Sequence, residues 1–152
     1  MGERYHGFAA DIIDTAKTHL TLMSAATVRP RLYELVVGSA DTPADQYAKW
    51  TVKRYTTSHG TEKAGFAPVN LDPNGIATAL ADYGAGKFTA EPTYTASSEL
   101  LVFGLNQRAT FRWVAAPGCE LMAPATANTG LGLVPVTTGG AAIHTATMYH
   151  VE

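Results

Sequence analysis

The residues best suited to chemistry are a single cysteine and five histidines. Cys119 lies in the segment QRATFRWVAAPGCELMAPAT (107–126), directly after a Pro-Gly dipeptide. A cysteine nucleophile needs a base, normally histidine, and a surrounding field that favours the thiolate. The adjacent Glu120 is negative, which disfavours a thiolate, and no helix N-terminus is expected in a β-hairpin. We therefore interpret Cys119 as a small residue at the corner of a hairpin, with Trp113 and Leu121 facing the core on its two strands.

The histidines do not form a metal-binding pattern. His144 and His150 are expected on one face of one strand, but six residues of strand separate them by roughly 20 Å. His6, His19 and His59 have no partner at the HxH or HxxxH spacing. The sequence also lacks a paired-carboxylate pattern, a Ser-His-Asp pattern and a P-loop. We expect no enzymatic activity, no cofactor and no bound metal.

Composition excludes several other classes of protein. The chain has 152 residues, a net charge of −2 and a sequence pI of about 6.2, so it lacks the basic field that nucleic-acid binding requires. One cysteine cannot form an internal disulfide. The N-terminus lacks the apolar run of a signal peptide, and no apolar stretch approaches the ~18 residues needed to cross a bilayer. We expect a protein made in the cytosol and not inserted in a membrane.

The charged fraction of 16% is lower than the typical value of about 25%. Small neutral side chains, mainly alanine and threonine, must therefore cover much of the surface. Two interpretations stay open at this point: a protein that spends its life packed against other proteins, and an ordinary alanine- and threonine-rich β-protein.

Hydrophobic alternation predicts an all-β fold. The longest alternating run is QYAKWTVKRYTT (46–57), in which Ala48, Trp50 and Val52 share one face. Similar runs separated by turn residues occur at 19–25, 31–39, 98–106, 110–116, 120–125, 129–137 and 141–152. About eight short strands with turns between them predict a single-domain antiparallel β-sandwich or jelly roll.

Two segments depart from this pattern. Residues 1–18 show no clean period, so we expect an N-terminal arm that precedes a β-sandwich domain over 19–152. Apolar residues of the arm could face one side of a short helix, or the arm could dock on its own domain or on a neighbour. Residues 58–87 are rich in Gly, Pro, Asp and Asn and predict a long central loop. Within it, IATALAD (76–82) could form one or two helical turns.

Several of these segments resemble a group of small virion proteins of tailed bacteriophages. The resemblance rests on LNQRATFRWVAAPGCELMAPATANTGLGLVPVT, the preceding PRLYELVVG and PVNLDPNG, and the closing ATMYHVE, and it extends over most of the chain. It implies a capsid decoration or cement protein with a jelly-roll or related β-fold, present on a head lattice as a dimer or trimer. It brings no catalytic residues to transfer.

The combined expectation is a phage virion structural protein that stabilises the head shell through many weak contacts. Its partners would be the major capsid protein or other virion proteins, without nucleic acid or membrane. The expected interface lies in the arm and comprises Arg4, Tyr5, Phe8, Ile12 and Ile13, so deletion of residues 2–16 is expected to leave a folded domain. The alternative is a carbohydrate- or receptor-binding module of a tail or fibre, with an aromatic platform drawn from Trp50, Trp113, Tyr47, Tyr55, Tyr94 and Tyr149.

Overall fold

The computed structural model describes residues 2–75 and 78–152. Within these residues the chain forms two antiparallel sheets and no helix. The two sheets pack against each other around one hydrophobic core, which confirms the predicted all-β sandwich. The described residues contain twelve strands rather than about eight, because several short strands lie in segments that the sequence pattern assigned to loops.

The first sheet, sheet A, contains β1 (Arg4–Ile12), β3 (Arg31–Ser39), β6 (Val69–Asn70), β9 (Phe111–Val114), β10 (Leu121–Met122) and β12 (Ile143–Val151). Its strand order is β10–β3–β12–β1–β6, and β9 also pairs with β3. The second sheet, sheet B, contains β2 (Leu20–Met23), β4 (Tyr47–Tyr55), β5 (Ala64–Phe66), β7 (Asp82–Ala85), β8 (Tyr94–Asn106) and β11 (Gly130–Thr138). Its order is β5–β7–β2–β11–β4–β8.

Alternation in the long strands places apolar side chains between the sheets. On β4, Ala48, Trp50 and Val52 are fully buried, as their shared parity predicts. On β12, His144, Ala146, Met148 and His150 are buried, and the residues between them are partly exposed. Burial of these apolar side chains is the main favourable contribution to folding.

The predicted N-terminal arm is instead an integral strand. Every residue of β1 pairs with β12, from Arg4 opposite Val151 to Ile12 opposite Ile143. The short strand β6 pairs with the other side of β1 at Tyr5 and His6. The boundary placed at residue 18 therefore does not separate an arm from a domain. Alternation did not predict this strand because its inward residues include Tyr5, Gly7 and Ala9, which give only a weak apolar pattern.

The predicted hairpin around Cys119 is also different in the structure. Strands β9 and β10 do not pair with each other, because both pair with the same edge of β3. The loop between them, at 115–120, is an outward excursion in one interrupted edge strand. Trp113 and Leu121 are partly buried against the core, in agreement with their predicted orientation.

The central segment 58–87 is not a plain loop, since it supplies β5, β6 and β7. The helical turns proposed for 76–82 fall partly on Ile76 and Ala77, which lie outside the described residues. The described remainder of that stretch is not helical and leads directly into β7 at Asp82.

Candidate functional site

The outward face of sheet B is largely covered by the chain itself. Gly130 and Gly132 on β11 leave room for two tyrosine hydroxyl groups, because a Cβ at either glycine would collide with Tyr55 or Tyr94 respectively. Beside them, the Thr21 hydroxyl lies 3.0 Å from Nε2 of the buried His59. The chain around residues 88–94 completes this cover, with the Thr18 hydroxyl donating to Glu91. Sheet B therefore offers little open surface over its middle strands.

The outward face of sheet A is open by comparison, and we call it the A face. It is formed by the outward side chains of β1 and β12, together with Tyr33 of β3. Their register sets each outward residue of β1 beside one of β12. The A face comprises Arg4, His6, Phe8, Ala10, Ile12, Tyr33, Ile143, Thr145, Thr147, Tyr149 and Val151.

One end of the A face carries a row of rings. The Arg4 guanidinium lies 5.9 Å from the ring centroid of Tyr33, and the Tyr33 and Tyr149 centroids are 6.3 Å apart. The His6 ring continues the row, 5.7 Å from Tyr149. Rings at these separations form favourable aromatic and cation–π contacts and present flat surfaces to a ligand or partner.

The other end of the A face is apolar. Phe8 is 55% exposed and Ile12 is 42% exposed, although both are large hydrophobic residues. The Phe8 ring leans toward Phe66 of β5, with their centroids 5.9 Å apart. Exposed apolar side chains that cluster on one face, rather than lying singly, are typical of protein interaction sites.

Few charged side chains lie on or beside the A face. The Glu34 carboxylate, at its border, is paired with Nε of Arg112 at 2.7 Å. Burial raises the pKa of the Tyr33 phenol, an effect that nearby Arg4 opposes, so this phenol stays neutral at physiological pH. By register, Arg31 of β3 lies beside Val151 and Glu34 lies beside Tyr149, so Arg4, Arg31 and the Glu34–Arg112 pair carry the charge of this region, at the end of the ring row.

The five residues predicted for an interface separate by strand parity. Arg4, Phe8 and Ile12 point outward and belong to the A face. Tyr5 and Ile13 point inward and are buried in the core, so they cannot contact a partner while β1 remains in the sheet. Alternation along β1, once the segment is known to be a strand, distinguishes the two groups.

The predicted aromatic platform is not assembled. Trp50 and Tyr55 are completely buried, Trp113 packs against the core and Tyr47 is exposed on sheet B. Of that set, Tyr149 alone lies on the A face. Tyr33 and His6, its neighbours in the ring row, were missed because neighbouring strands bring them together from distant parts of the chain. The signal available in the sequence was the alternation along 31–39 and 141–152, which places Tyr33 and Tyr149 on the outward sides of their strands.

The buried histidines serve the core. His19 Nε2 lies 3.1 Å from the carbonyl oxygen of His144, and both rings pack against Trp50. His150 Nδ1 lies 2.8 Å from the Tyr83 hydroxyl. Burial disfavours the charged imidazolium and lowers the pKa of His19 to about 4. Burial therefore keeps the His19 ring neutral between the sheets.

Cys119 is exposed in the loop at 115–120. Its backbone N–H donates to the Ala116 carbonyl at 2.8 Å, and Gly118 adopts a positive φ of 82° that closes the turn. The histidines at 19, 59, 144 and 150 are buried elsewhere, and His6 lies on β1. The fold thus does not bring a buried histidine to the thiol.

Within 2–75 and 78–152, no three His, Cys, Asp or Glu side chains are grouped closely enough to hold a metal ion. The same residues form no helix with the length and hydrophobicity that crossing a bilayer requires. Comparison of the chain with protein-family models, with curated proteins and with solved structures found no match in any of the three. The A face, defined by geometry alone, is the candidate functional site.

Proposed function

We propose that this chain is a phage virion structural protein, a capsid decoration or cement protein that binds and stabilises the head shell. Its partners are the major capsid protein or other virion proteins, and it acts as a dimer or trimer. The proposal is supported by the resemblance of its segments to small tailed-phage virion proteins. The A face is the single structural observation that supports it most directly.

The A face suits such a role for physical reasons. It is broad, and its apolar end at Phe8 and Ile12 is separate from the end that carries Arg4 and Arg31, so a partner can cover the apolar end without burying either guanidinium group. Decoration of a shell does not require a tight individual contact, because many copies on one lattice convert modest affinities into strong overall retention. Phe8 and Ile12 would supply the apolar contact, and Arg4 would contribute at the rim.

The test is binding of purified protein to empty heads of the phage that encodes it. A Phe8→Ser, Ile12→Ser double variant should lose at least about tenfold in head affinity, because two exposed apolar side chains leave the interface. Val102→Ser is the matched control, since Val102 is 51% exposed but lies on β8 of sheet B. Equal binding by the double variant and the control, with both folded, would exclude the A face as the head-binding surface.

The second candidate is a carbohydrate- or receptor-binding module of a tail or fibre. The ring row of Arg4, Tyr33, Tyr149 and His6 favours it, because aromatic faces beside a cation can hold a sugar. On a glycan array, Tyr149→Ala should abolish binding and Tyr47→Ala on sheet B should not. Glycan binding without head binding would replace the decoration proposal by this one.

A further inference from the structure

Within residues 2–75 and 78–152, sheet A has no strand beside the second half of β1, although sheet B continues beneath that position. Strand β7 lies under β1, as shown by the Tyr83 ring against Gly7 and by the Lys87 N–H, which donates to Asp11 Oδ2 at 3.3 Å. Strand β5 extends sheet B one strand beyond β7. In sheet A, β6 fills the corresponding position only beside the first residues of β1. No strand of the described part of the chain occupies the position beside Phe8–Ile12, and we call this position the vacancy.

The vacancy exposes unpaired backbone groups. The Leu71 N–H donates to the Arg4 carbonyl at 2.9 Å, so even-numbered residues of β1 direct their N–H and C=O groups away from β12. The Ile12 N–H is taken by its neighbour's carboxylate, Asp11 Oδ1, at 2.8 Å. Among the described residues, the backbone groups of Phe8 and Ala10 on this edge have no partner. They repeat the spacing that an antiparallel strand requires.

An apolar groove of about 280 Å³ lies along this edge. Its apolar lining comes from Phe8, Ala9 and Ala10 of β1, Ala64 and Phe66 of β5, and Ala85 of β7. The ion pair between Lys63 Nζ and Asp11 Oδ2, at 2.9 Å, closes one end. Small apolar walls beside unpaired backbone groups suit an extended chain that has apolar side chains at alternate positions.

We propose that this vacancy binds an extended apolar segment of a different protein chain, which adds to sheet A as an antiparallel strand beside β1. The segment would pair with Phe8 and Ala10 and lay alternate side chains on Ala64 and Phe66, as in other cases of strand addition. The edge spans five residues, or about 16 Å, which is enough for one short strand. The inference goes beyond the proposed function, since it rests on backbone pairing rather than on the A face.

A second folded copy cannot pair its own β1 with the vacancy. If β1 of another copy paired with this edge, the strand β7 beneath it would occupy the place already held by β5. A single extended segment avoids this clash because it brings no second layer. The edge has no proline and no outward lysine between Phe8 and Ile12, and its one charged residue, Asp11, is paired with Lys63.

The test uses the full-length protein and a synthetic peptide of about seven residues that alternates valine and threonine. In the free protein, the amide hydrogens of Phe8 and Ala10 should exchange rapidly and those of Gly7 and Ala9, which face β12, slowly. Saturating peptide should protect Phe8 and Ala10. Ala10→Pro removes the edge N–H without breaking a bond to β12, so the fold should persist and peptide affinity should fall about tenfold.

Peptide variants keep the test decisive should Ala10→Pro fail to fold. N-methylation of the odd-numbered or of the even-numbered peptide amides blocks one edge of the added strand at a time. N-methylation of one set should abolish peptide binding. N-methylation of the other set should change the dissociation constant of the peptide by no more than about threefold, because one edge alone pairs with β1. Exchange at Phe8 and Ala10 that peptide does not change, or equal effects of the two sets, would overturn the proposal. So would a dimer of this chain that Ala10→Pro dissociates, since the occupant would then be a second copy.

Discussion

The ring of Tyr83 rests directly on the backbone of Gly7, so that these two residues join sheet B to sheet A without an intervening side chain. The Tyr83 hydroxyl then reaches His150 Nδ1 at 2.8 Å, and the ring stacks on Phe66 with centroids 5.6 Å apart. A tyrosine held on three sides cannot move aside easily. The absence of a side chain at Gly7 is therefore a requirement of the packing between the sheets.

Gly7→Ala should destabilise the fold by about 2 kcal/mol or more, because the added Cβ would overlap the Tyr83 ring in a closely packed interior. Urea unfolding followed by tryptophan fluorescence measures the change. Gly104→Ala is the control, since the nearest atom to a Cβ there is the Ala48 carbonyl oxygen at 4.0 Å. Equal stability of the two variants would contradict the close contact between Gly7 and the Tyr83 ring.

Acid should begin to destabilise the protein at pH values higher than those at which carboxyl groups titrate. Burial lowers the pKa of His19 to about 4 and also lowers the pKa of His59 and His144. An unfolded histidine binds a proton near pH 6.5, so the unfolded state binds more protons between about pH 6.5 and pH 4. Stability is therefore full above this window and falls as the pH drops through it, by on the order of 3 kcal/mol from His19.

The measurement is the urea midpoint at half-unit steps from pH 7.5 to pH 4. His19→Gln is the comparison, because it keeps an N–H donor near the His144 carbonyl but does not titrate. The free energy of unfolding of this variant should depend less on pH in this window than that of the wild-type protein, whatever its value at pH 7.5. A wild-type protein whose stability is constant between pH 7 and pH 4 would contradict the burial of neutral histidines.

Deletion of residues 2–16 should prevent folding. The deletion removes β1, which pairs with β12 along its whole length, and takes Tyr5, Ala9 and Ile13 out of the core. We expect loss of the β-sheet circular dichroism signal and of dispersed amide resonances. Phe8→Ser is the control, because it alters an outward side chain of the same strand. A folded deletion variant would restore the interpretation of this segment as an arm.

Cys119→Ser should change neither stability nor binding to heads. The thiol is exposed and its residue contributes a backbone hydrogen bond to the turn, which serine retains. In the native protein the thiol should react fully with a soluble disulfide reagent before any denaturant is added. A thiol that reacts only after unfolding would show that the loop at 115–120 covers it.

Local patterns in the sequence were sufficient to identify the strands with regular alternation. The runs at 31–39 and 46–57 match β3 and β4 closely, and the inward faces of Leu35, Trp50 and Val52 follow from parity. This worked because side chains of a strand alternate with a period of two residues wherever the strand lies. The same rule failed for β1, whose inward positions include Gly7 and the polar Asp11, and for the two- to four-residue strands of the central segment.

Pairing between distant strands was decided by the tertiary structure alone. Alternation does not say that β1 inserts between β12 and β6, or that β9 and β10 share one edge of β3. These choices depend on contacts between residues that are far apart in the sequence, such as His6 with Val69, Leu32 with Leu121 and Phe8 with Thr147. The ring row of the A face and the vacancy beside Phe8 and Ala10 both arise from such pairings. The sequence by itself determined an all-β chain with one buried side to each regular strand, because that information is local; which surfaces remain open depended on how the strands assemble.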